Sequence, residues 1–228
     1  NLSLLPIIDK FMPLDVEHHQ TKLPLHKMAL ESAKLILYVV AGLILGLVVT
    51  IPGDWVDNAS EAILLLLLFF IGIQLRNSGL TLKQIIMNKH GLMIAVVMIT
   101  TSLIGGVICA WLLDLPLYQS LAMSSGFGWY SLSGILIGDA FGPVFGGASF
   151  LLELLRELVA LIMIPMLILR LPNTSIGYAG ATAMDFTLPI IQTTGGVRCV
   201  PIAIVSGFIL SLMVPTLMVF LISMAQIQ

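Results

Sequence analysis

Residues 91–113 read GLMIAVVMITTSLIGGVICAWLL, a run of 23 residues without a charged side chain. A bilayer core about 30 Å thick is crossed by roughly 20 helical residues, because each residue adds about 1.5 Å. The run is therefore long enough to span a membrane. Composition agrees, since 58% of the residues are hydrophobic and only 10% are charged, against about 25% charged in soluble domains. The sequence predicts an all-α polytopic membrane protein.

Apolar runs divide the chain into three parts. Residues 1–33 mix polar and apolar side chains and are predicted to be a cytoplasmic loop or an interfacial segment. Residues 34–113 are predicted to contain three transmembrane helices: 35–51, 62–75 and 91–113. Residues 114–228 are predicted to contain two segments interrupted by small residues and two long helices: 117–138, 175–196, 147–169 and 199–224. About five transmembrane helices are expected.

Basic residues indicate the orientation, because Lys and Arg concentrate on cytoplasmic loops. The basic stretches 22–34 and 76–89 lie two predicted spans apart, so both are expected inside. If 117–138 crosses fully, Arg170 falls outside. If 117–138 is re-entrant from the outer side and 175–196 from the inner side, Arg170 and Arg198 are both inside. We favour the re-entrant arrangement, and both versions leave the C-terminus outside.

The two interrupted segments are the first candidates for a binding site. Irregular backbone at membrane depth is tolerated where protein or a water-filled cavity surrounds it, and paired interruptions typify transporter sites. The alternative is that small residues only let helices pack closely. Trp129 and Tyr130 are either cation–π partners of an ammonium group or interfacial anchors. The candidate binding residues are Ser125, Gly126, Trp129, Tyr130, Ser131, Thr182 and Thr187.

Asp185 lies in ATAMDFTLP, with no basic residue within ten positions on either side. A charge at the bilayer centre costs about 2.5–3.5 kcal/mol on insertion scales. A carboxyl group that exchanges between protonated and ionised forms suits proton coupling or the binding of a cation. The alternative is a structural aspartate that caps the N-terminus of a half-helix.

The helix 147–169 carries three charges in five residues: Glu153, Arg156 and Glu157. Glu153 and Arg156 are i,i+3 neighbours and are predicted to pair. We expect this pair near the start of the helix, at the membrane boundary, where both side chains snorkel to water. Glu157 is left as the unpaired acid deeper in the membrane.

Other classes of protein receive little support. The net charge of −2 argues against a nucleic-acid partner. His18, His19 and His26 lack the companions of a metal site, so we expect no metal and no cofactor. An intramembrane aspartyl protease needs a Gly-x-Gly-Asp motif, but residue 136, before Ile137-Gly138-Asp139, is leucine. We expect no enzymatic activity. A passive channel remains an alternative to a transporter.

The motifs SGFGWYSLSGILI, LLRELVALIMIP and GATAMDFTLPIIQTTGG closely resemble the bacterial lysine exporter family (LysO, also called YbjE). RNSGLTLKQI and ALESAKL match as well, and the resemblance covers essentially the whole chain. It implies export of L-lysine and its toxic analogue thialysine across the bacterial inner membrane, with residues 114–228 as the transport core. It also implies that two intramembrane acids needed for export correspond to Glu157 and Asp185.

The family resemblance implies eight transmembrane helices with both termini outside, so three further helices are expected upstream of residue 1. The two acids in an apolar context lead us to expect a proton-coupled antiporter, and the charge distribution leads us to expect a periplasmic or extracellular C-terminus. The expected partners are L-lysine, thialysine, protons and membrane lipid. A homo-oligomer is compatible with the sequence.

Overall fold

The computed structural model describes residues 5–14 and 88–227, together with single positions at 37, 40–42, 44–46, 48, 62, 66 and 69. The chain divides into two compact units, one formed by residues 1–21 and 80–228 and the other by residues 22–79. The second unit is described only at the single positions, which are exposed helical residues. Apart from these positions, the predicted spans 35–51 and 62–75 lie outside the described residues. So do the three histidines at 18, 19 and 26.

The described part of the first unit is helical throughout and contains no strand. One short 3₁₀ helix, Gly180–Met184, joins two of the α-helices. The α-helices are α1 (Leu5–Phe11), α2 (Lys89–Leu113), α3 (Leu117–Ser124), α4 (Tyr130–Phe141), α5 (Pro143–Leu167), α6 (Pro172–Ala179), α7 (Leu188–Gly195) and α8 (Cys199–Ile227).

Two of the described helices, α2 and α8, are long and apolar enough to cross a membrane. They correspond to the predicted helices 91–113 and 199–224. The predicted helix 147–169 is α5, which begins four residues earlier than expected. Gly142, at φ 93°, separates α4 from α5, and Pro143 supplies the fixed backbone angle that suits a first helical turn.

Several helix ends lie together at one end of the unit, which we call the Asn88 end. The Asn88 side-chain amide donates to the Pro201 carbonyl over 3.3 Å, which joins the starts of α2 and α8. A Cβ added to Gly195, the last residue of α7, would lie 2.6 Å from Ile168 Cδ1, just beyond α5. Since only the four residues 168–171 separate the end of α5 from the start of α6, α6 also starts at the Asn88 end.

The first interrupted segment, 117–141, leaves the opposite end and returns to it. The Ser102 hydroxyl, near the middle of α2, donates to the Ser124 carbonyl over 2.6 Å, so α3 stops halfway. The segment then turns into α4, which runs along α5 and is joined to it by a Ser133–Ser149 hydrogen bond. Because the 25 residues of α5 extend about 37 Å, α4 ends far from the Asn88 end.

The second interrupted segment, 172–195, leaves the Asn88 end and returns to it. The Arg156 guanidinium, at the middle of α5, donates to the Tyr178 carbonyl over 2.5 Å, so α6 also stops halfway. The chain turns through the 3₁₀ helix, and α7 returns to the Asn88 end at Gly195. The two interrupted segments therefore enter the unit from opposite ends.

Helix α1 lies within segment 1–33 and packs in this same unit. Its Leu5 is fully buried and its Ile8 is 2% exposed. A Cβ added to Gly177 of α6 would lie 2.9 Å from Leu5 Cδ2. Residues 5–11 are therefore a packed helix that supports the second interrupted segment.

Candidate functional site

The tips of the two interrupted segments meet beside the middle of α5. The tip of the first segment, residues 125–129, links α3 to α4. The tip of the second segment, residues 178–182, comprises the end of α6 and the start of the 3₁₀ helix. The Ala181 amide donates to the Phe127 carbonyl over 2.9 Å, which joins the tips directly. The predicted interruptions are therefore real breaks in the helices, and the fold brings them together.

Backbone conformation at both tips requires glycine. Gly128 has φ 99° and Gly180 has φ 69°, a region that L side chains rarely adopt. Phe127, at φ 44°, shares this unusual conformation. A Cβ at Gly180 would lie 2.9 Å from Arg156 Nη2, and a Cβ at Gly128 would overlap the same nitrogen. The two glycines leave the space in which the guanidinium lies.

The predicted pair of Glu153 and Arg156 is confirmed, with Arg156 Nε 3.1 Å from Glu153 Oε2. The prediction that the pair lies near the start of the helix with Glu153 reaching water is wrong. The two residues are the eleventh and fourteenth of the 25 in α5, and Glu153 is only 3% exposed. Because α5 begins at Pro143, the pair lies about one turn deeper than a start at residue 147 would place it.

Glu157 is buried one residue beyond this pair. It is 2% exposed, and its Oε1 has no hydrogen-bond partner among the residues that the structure describes. Buried polar atoms in native proteins are nearly always paired, so an unpartnered carboxylate oxygen calls for a functional explanation. Asp185 and the Tyr130 hydroxyl both lie within electrostatic range of this carboxyl group.

Asp185 lies between the 3₁₀ helix and α7, on the exposed surface of the described unit. Its Oδ1 accepts a hydrogen bond of 2.5 Å from the Phe186 amide. The N-cap of α7 is Thr187, whose side chain makes no capping hydrogen bond, and Phe186 lies before the helix, so among the described residues Asp185 does not cap α7. The Thr187 amide and hydroxyl both donate to the Thr182 carbonyl, over 3.0 and 2.9 Å, which closes the loop that carries Asp185.

The other predicted binding residues line the first tip. Ser125 is fully buried and donates to the Ala122 carbonyl over 2.7 Å, which leaves its oxygen lone pairs as acceptors. A Cβ at Gly126 would lie 2.6 Å from Glu153 Oε1. Trp129 is the N-cap residue of α4 and is partly buried, as is Ser131.

Tyr130 begins α4 in the interior of the unit. Its ring makes an edge contact with Phe150 at 5.5 Å between centroids and 86° between planes. This contact places the Tyr130 ring against α5, beside the first tip. The carboxyl groups of Glu157 and Asp185 both act electrostatically on the Tyr130 hydroxyl.

Sequence reasoning missed a second polar cluster at the Asn88 end. The Asp9 carboxylate of α1 accepts hydrogen bonds from the Asn173 amide at 2.7 Å, the Thr174 amide at 3.0 Å and the Thr174 hydroxyl at 2.5 Å. It therefore caps α6 from a distant part of the chain. The Asn173 side chain joins the cluster, donating to the Met12 carbonyl over 2.9 Å and lying 3.2 Å from His90 Nδ1.

In the described ranges no group of three or more His, Cys, Asp or Glu side chains is arranged to hold a metal ion. The site consists instead of two carboxyl groups and a tyrosine beside broken helices. Interrupted helices that converge on acidic side chains define a class, the helical membrane transport proteins.

Within that class, the family described as "Lysine exporter LysO" matches residues 36–222, most of the chain. The chain belongs to this lysine exporter family.

Two curated relatives support this membership. The protein named lysine exporter LysO of Escherichia coli strain K12 is 53% identical over 96% of this chain and 74% of its own length. A protein of Haemophilus influenzae named putative lysine exporter is 45% identical over 80% of this chain and 93% of its own length. No solved structure matches the chain.

Proposed function

We propose that the protein exports L-lysine, and its analogue thialysine, across the bacterial inner membrane in exchange for protons. Membership of the lysine exporter family and the names of both relatives support export of lysine. Proton coupling, the acceptance of thialysine and the roles of individual residues are our own proposals. We assign no enzymatic step and no cofactor to the site.

We infer that residues 117–141 and 172–195 are re-entrant hairpins within the membrane. Each leaves one end of the unit, stops halfway and returns, which leaves irregular backbone at mid-depth where neighbouring helices enclose it. Helix α2 and the first hairpin form one pair, and α5 and the second hairpin form another. The two pairs run in opposite directions between the ends of the unit. Such inverted arrangements are common in secondary transporters, whose binding sites lie at the interface of the two halves.

The distribution of charge supports a cytoplasmic Asn88 end. Lys89, Arg170 and Arg198 all lie next to helix ends found there, whereas Asp114 and Asp139 lie at the opposite end. Basic residues favour the cytoplasmic side of a membrane. Since α8 starts at the Asn88 end and runs 29 residues, this orientation puts the C-terminus in the periplasm or outside the cell.

The observation that carries the proposal is the unpartnered carboxylate oxygen of Glu157 near Asp185. Glu153 and Arg156 neutralise each other, which leaves the buried Glu157 and Asp185, at the surface of the described unit, as the carboxyl groups for a ligand. Lysine carries two ammonium groups and one carboxylate. We assign the ammonium groups to Glu157 and Asp185, with the rings of Trp129 and Tyr130 as cation–π partners.

The substrate carboxylate needs donors of hydrogen bonds. Ser131, near the start of α4, is our candidate donor. The Thr182 hydroxyl already donates to the Ala179 carbonyl over 2.9 Å, so Thr182 supports the backbone of the tips, as do Ser125 and Thr187. In the proposed cycle, protons from the outer side neutralise the two acids and release lysine. Loss of the protons toward the cytoplasm restores the negative site and completes the exchange.

The test is lysine export from cells that lack their own exporters and express the full-length protein. Glu157→Gln and Asp185→Asn keep the shape of each side chain and remove its charge, so both are expected to abolish export and resistance to thialysine. Asp114→Asn is the matched control, because Asp114 lies in the exposed turn after α2 in a left-handed conformation that asparagine adopts readily.

Unimpaired export by Glu157→Gln or Asp185→Asn would refute the assignment of the site. Export that never proceeds against a lysine gradient would favour the passive channel. Membrane levels of each variant are measured in parallel, so that loss of export is not confused with loss of protein.

A further inference from the structure

Glu153 and Arg156 together contact both tips. Glu153 Oε2 accepts from the Gly128 amide over 2.6 Å, at the first tip. Arg156 donates from Nη1 to the Tyr178 carbonyl over 2.5 Å and from Nη2 to the Ala179 carbonyl over 3.3 Å, at the second tip. Since both side chains belong to α5, this helix is tied to both tips through one ion pair.

A buried ion pair is retained when additional hydrogen bonds satisfy each charge. Here the extra partners are main-chain groups at ends of the broken helices. Glu153 faces the Gly128 amide just before the start of α4, where the helix dipole is positive, and Arg156 faces carbonyls at the end of α6, where it is negative. Each charge therefore has the sign that its helix end favours.

The glycines at the tips fit the same interpretation. A side chain at Gly128 or Gly180 would occupy the space of the Arg156 guanidinium. A Cβ at Gly126 would press on the Glu153 carboxylate. The close approach of both tips to α5 thus depends on residues without side chains at the three points where the ion pair lies.

We propose that Glu153 and Arg156 are positioning residues that hold both tips on α5, so that Glu157 and Asp185 keep a fixed mutual geometry during transport. We call this pair the tip clasp. Its part in transport rests on the proposed lysine export, whereas its part in holding the tips does not. The tip clasp does not itself bind substrate or exchange protons.

Neutral variants of Glu153 show whether this residue only positions the tips or acts as a third functional acid beside Glu157 and Asp185. Glu153→Gln loses the charge that pairs with Arg156 but keeps an oxygen that accepts from the Gly128 amide, so lysine export is expected to fall less than in Glu153→Leu and to remain measurable. Glu153→Leu removes the acceptor and is expected to lower kcat at least about tenfold, as loss of a charged hydrogen bond implies. If Glu153→Gln abolished export as fully as Glu157→Gln, Glu153 would be a functional acid and the proposal would fail.

Arg156 variants test the geometry of the guanidinium. A lysine side chain lacks the planar set of donors with which the Arg156 guanidinium contacts one carboxylate and two carbonyls. Arg156→Lys is therefore expected to lose most of kcat. Exchange of the two residues, Glu153→Arg with Arg156→Glu, restores an ion pair but not the bonds to the tips. Recovery of export in the exchanged protein would overturn the proposal, because it would show that the ion pair alone matters.

A measurement independent of transport follows the tips directly. Ala183, fully buried in the 3₁₀ helix, is replaced by cysteine in the full-length protein with its native cysteines removed. Its reaction with a membrane-permeant thiol reagent reports whether the second tip stays packed. Arg156→Gln is expected to speed labelling about tenfold, by the loss of charged hydrogen bonds. Arg170→Gln, an exposed arginine just beyond α5, is the control and is expected to change neither labelling nor export.

The outcomes separate the two proposals. If the unmodified protein does not export lysine, the proposed function fails, and labelling still tests whether the clasp holds the tips. If export occurs but Arg156→Gln leaves it unchanged, the positioning role is refuted whatever the labelling shows. If Arg156→Gln stops export without faster labelling, Arg156 acts on the substrate directly and the tip clasp is refuted.

Discussion

Replacement of Gly180 by alanine should break the contact between the two tips. Gly180 has φ 69° and ψ −137°, a conformation that is essentially restricted to glycine and costs an L residue about 1–3 kcal/mol. The new Cβ would also overlap the Phe127 carbonyl and displace the Ala181–Phe127 hydrogen bond, worth about 0.5–1.5 kcal/mol. We expect Gly180→Ala to lower the free energy of unfolding by about 2–4 kcal/mol.

The assay is thermal unfolding of the purified full-length protein in detergent, followed by tryptophan fluorescence. At about 2–4 °C per kcal/mol for a chain of this size, Tm is expected to fall by about 4–16 °C. Gly147→Ala is the matched control. Gly147 lies in α5 with no atom within 4 Å of an added Cβ, so the same substitution should stabilise the helix by about 0.5–1 kcal/mol.

The essential result is that Gly180→Ala lowers Tm whereas Gly147→Ala raises it. If Gly180→Ala left Tm unchanged or raised it as Gly147→Ala does, the strained turn and the contact between the tips would not contribute to stability. Glycine would then not be required beside Arg156, and the tip clasp would lose its structural basis.

Two further predictions concern the Asn88 end and the driving force. Asp9→Ala removes the carboxylate that caps α6 and should destabilise the protein by about 1–3 kcal/mol, measured as a fall in Tm. Lys10→Ala, on the exposed face of α1, is its control, and equal effects would refute the cap. Collapse of the pH gradient with an ionophore should slow lysine export from vesicles severalfold; an unchanged rate would remove proton coupling and leave export intact.

The helices themselves could be predicted from local sequence. The uncharged run 91–113 became α2. The interruptions predicted at 124–128 and 180–182 lie at the tips, because glycine and hydroxyl residues weaken a helix in the middle of an apolar run. Glu157 was recognised for the same reason, since an acid surrounded by apolar residues needs an explanation. These signals depend only on neighbours along the chain.

The depth of the charged pair could not be predicted in this way. It depends on where α5 begins, and that point is set by the left-handed Gly142 and by Pro143. Helix boundaries are less certain than helix identity. A shift of four residues moved Glu153 and Arg156 from an expected surface position to the centre of the protein.

Contacts between distant segments could not be predicted from the sequence either. The capping of α6 by Asp9 joins residues 164 positions apart, and no local pattern marks such a partner. The carbonyls of Tyr178 and Ala179 carry no side-chain signature at all, although they bind Arg156. Main-chain groups become visible as functional partners only when the tertiary structure is known.

The position of α5 between its partners has a consequence for evolution. Ser149 fixes this helix against α4, and Glu153 and Arg156 fix it against the tips one and two turns later. Insertion of one residue between Ser149 and Glu153 would rotate the charged residues by about 100° away from both tips. This stretch therefore tolerates substitution but not a change of length, and gaps between homologues should accumulate elsewhere in the chain.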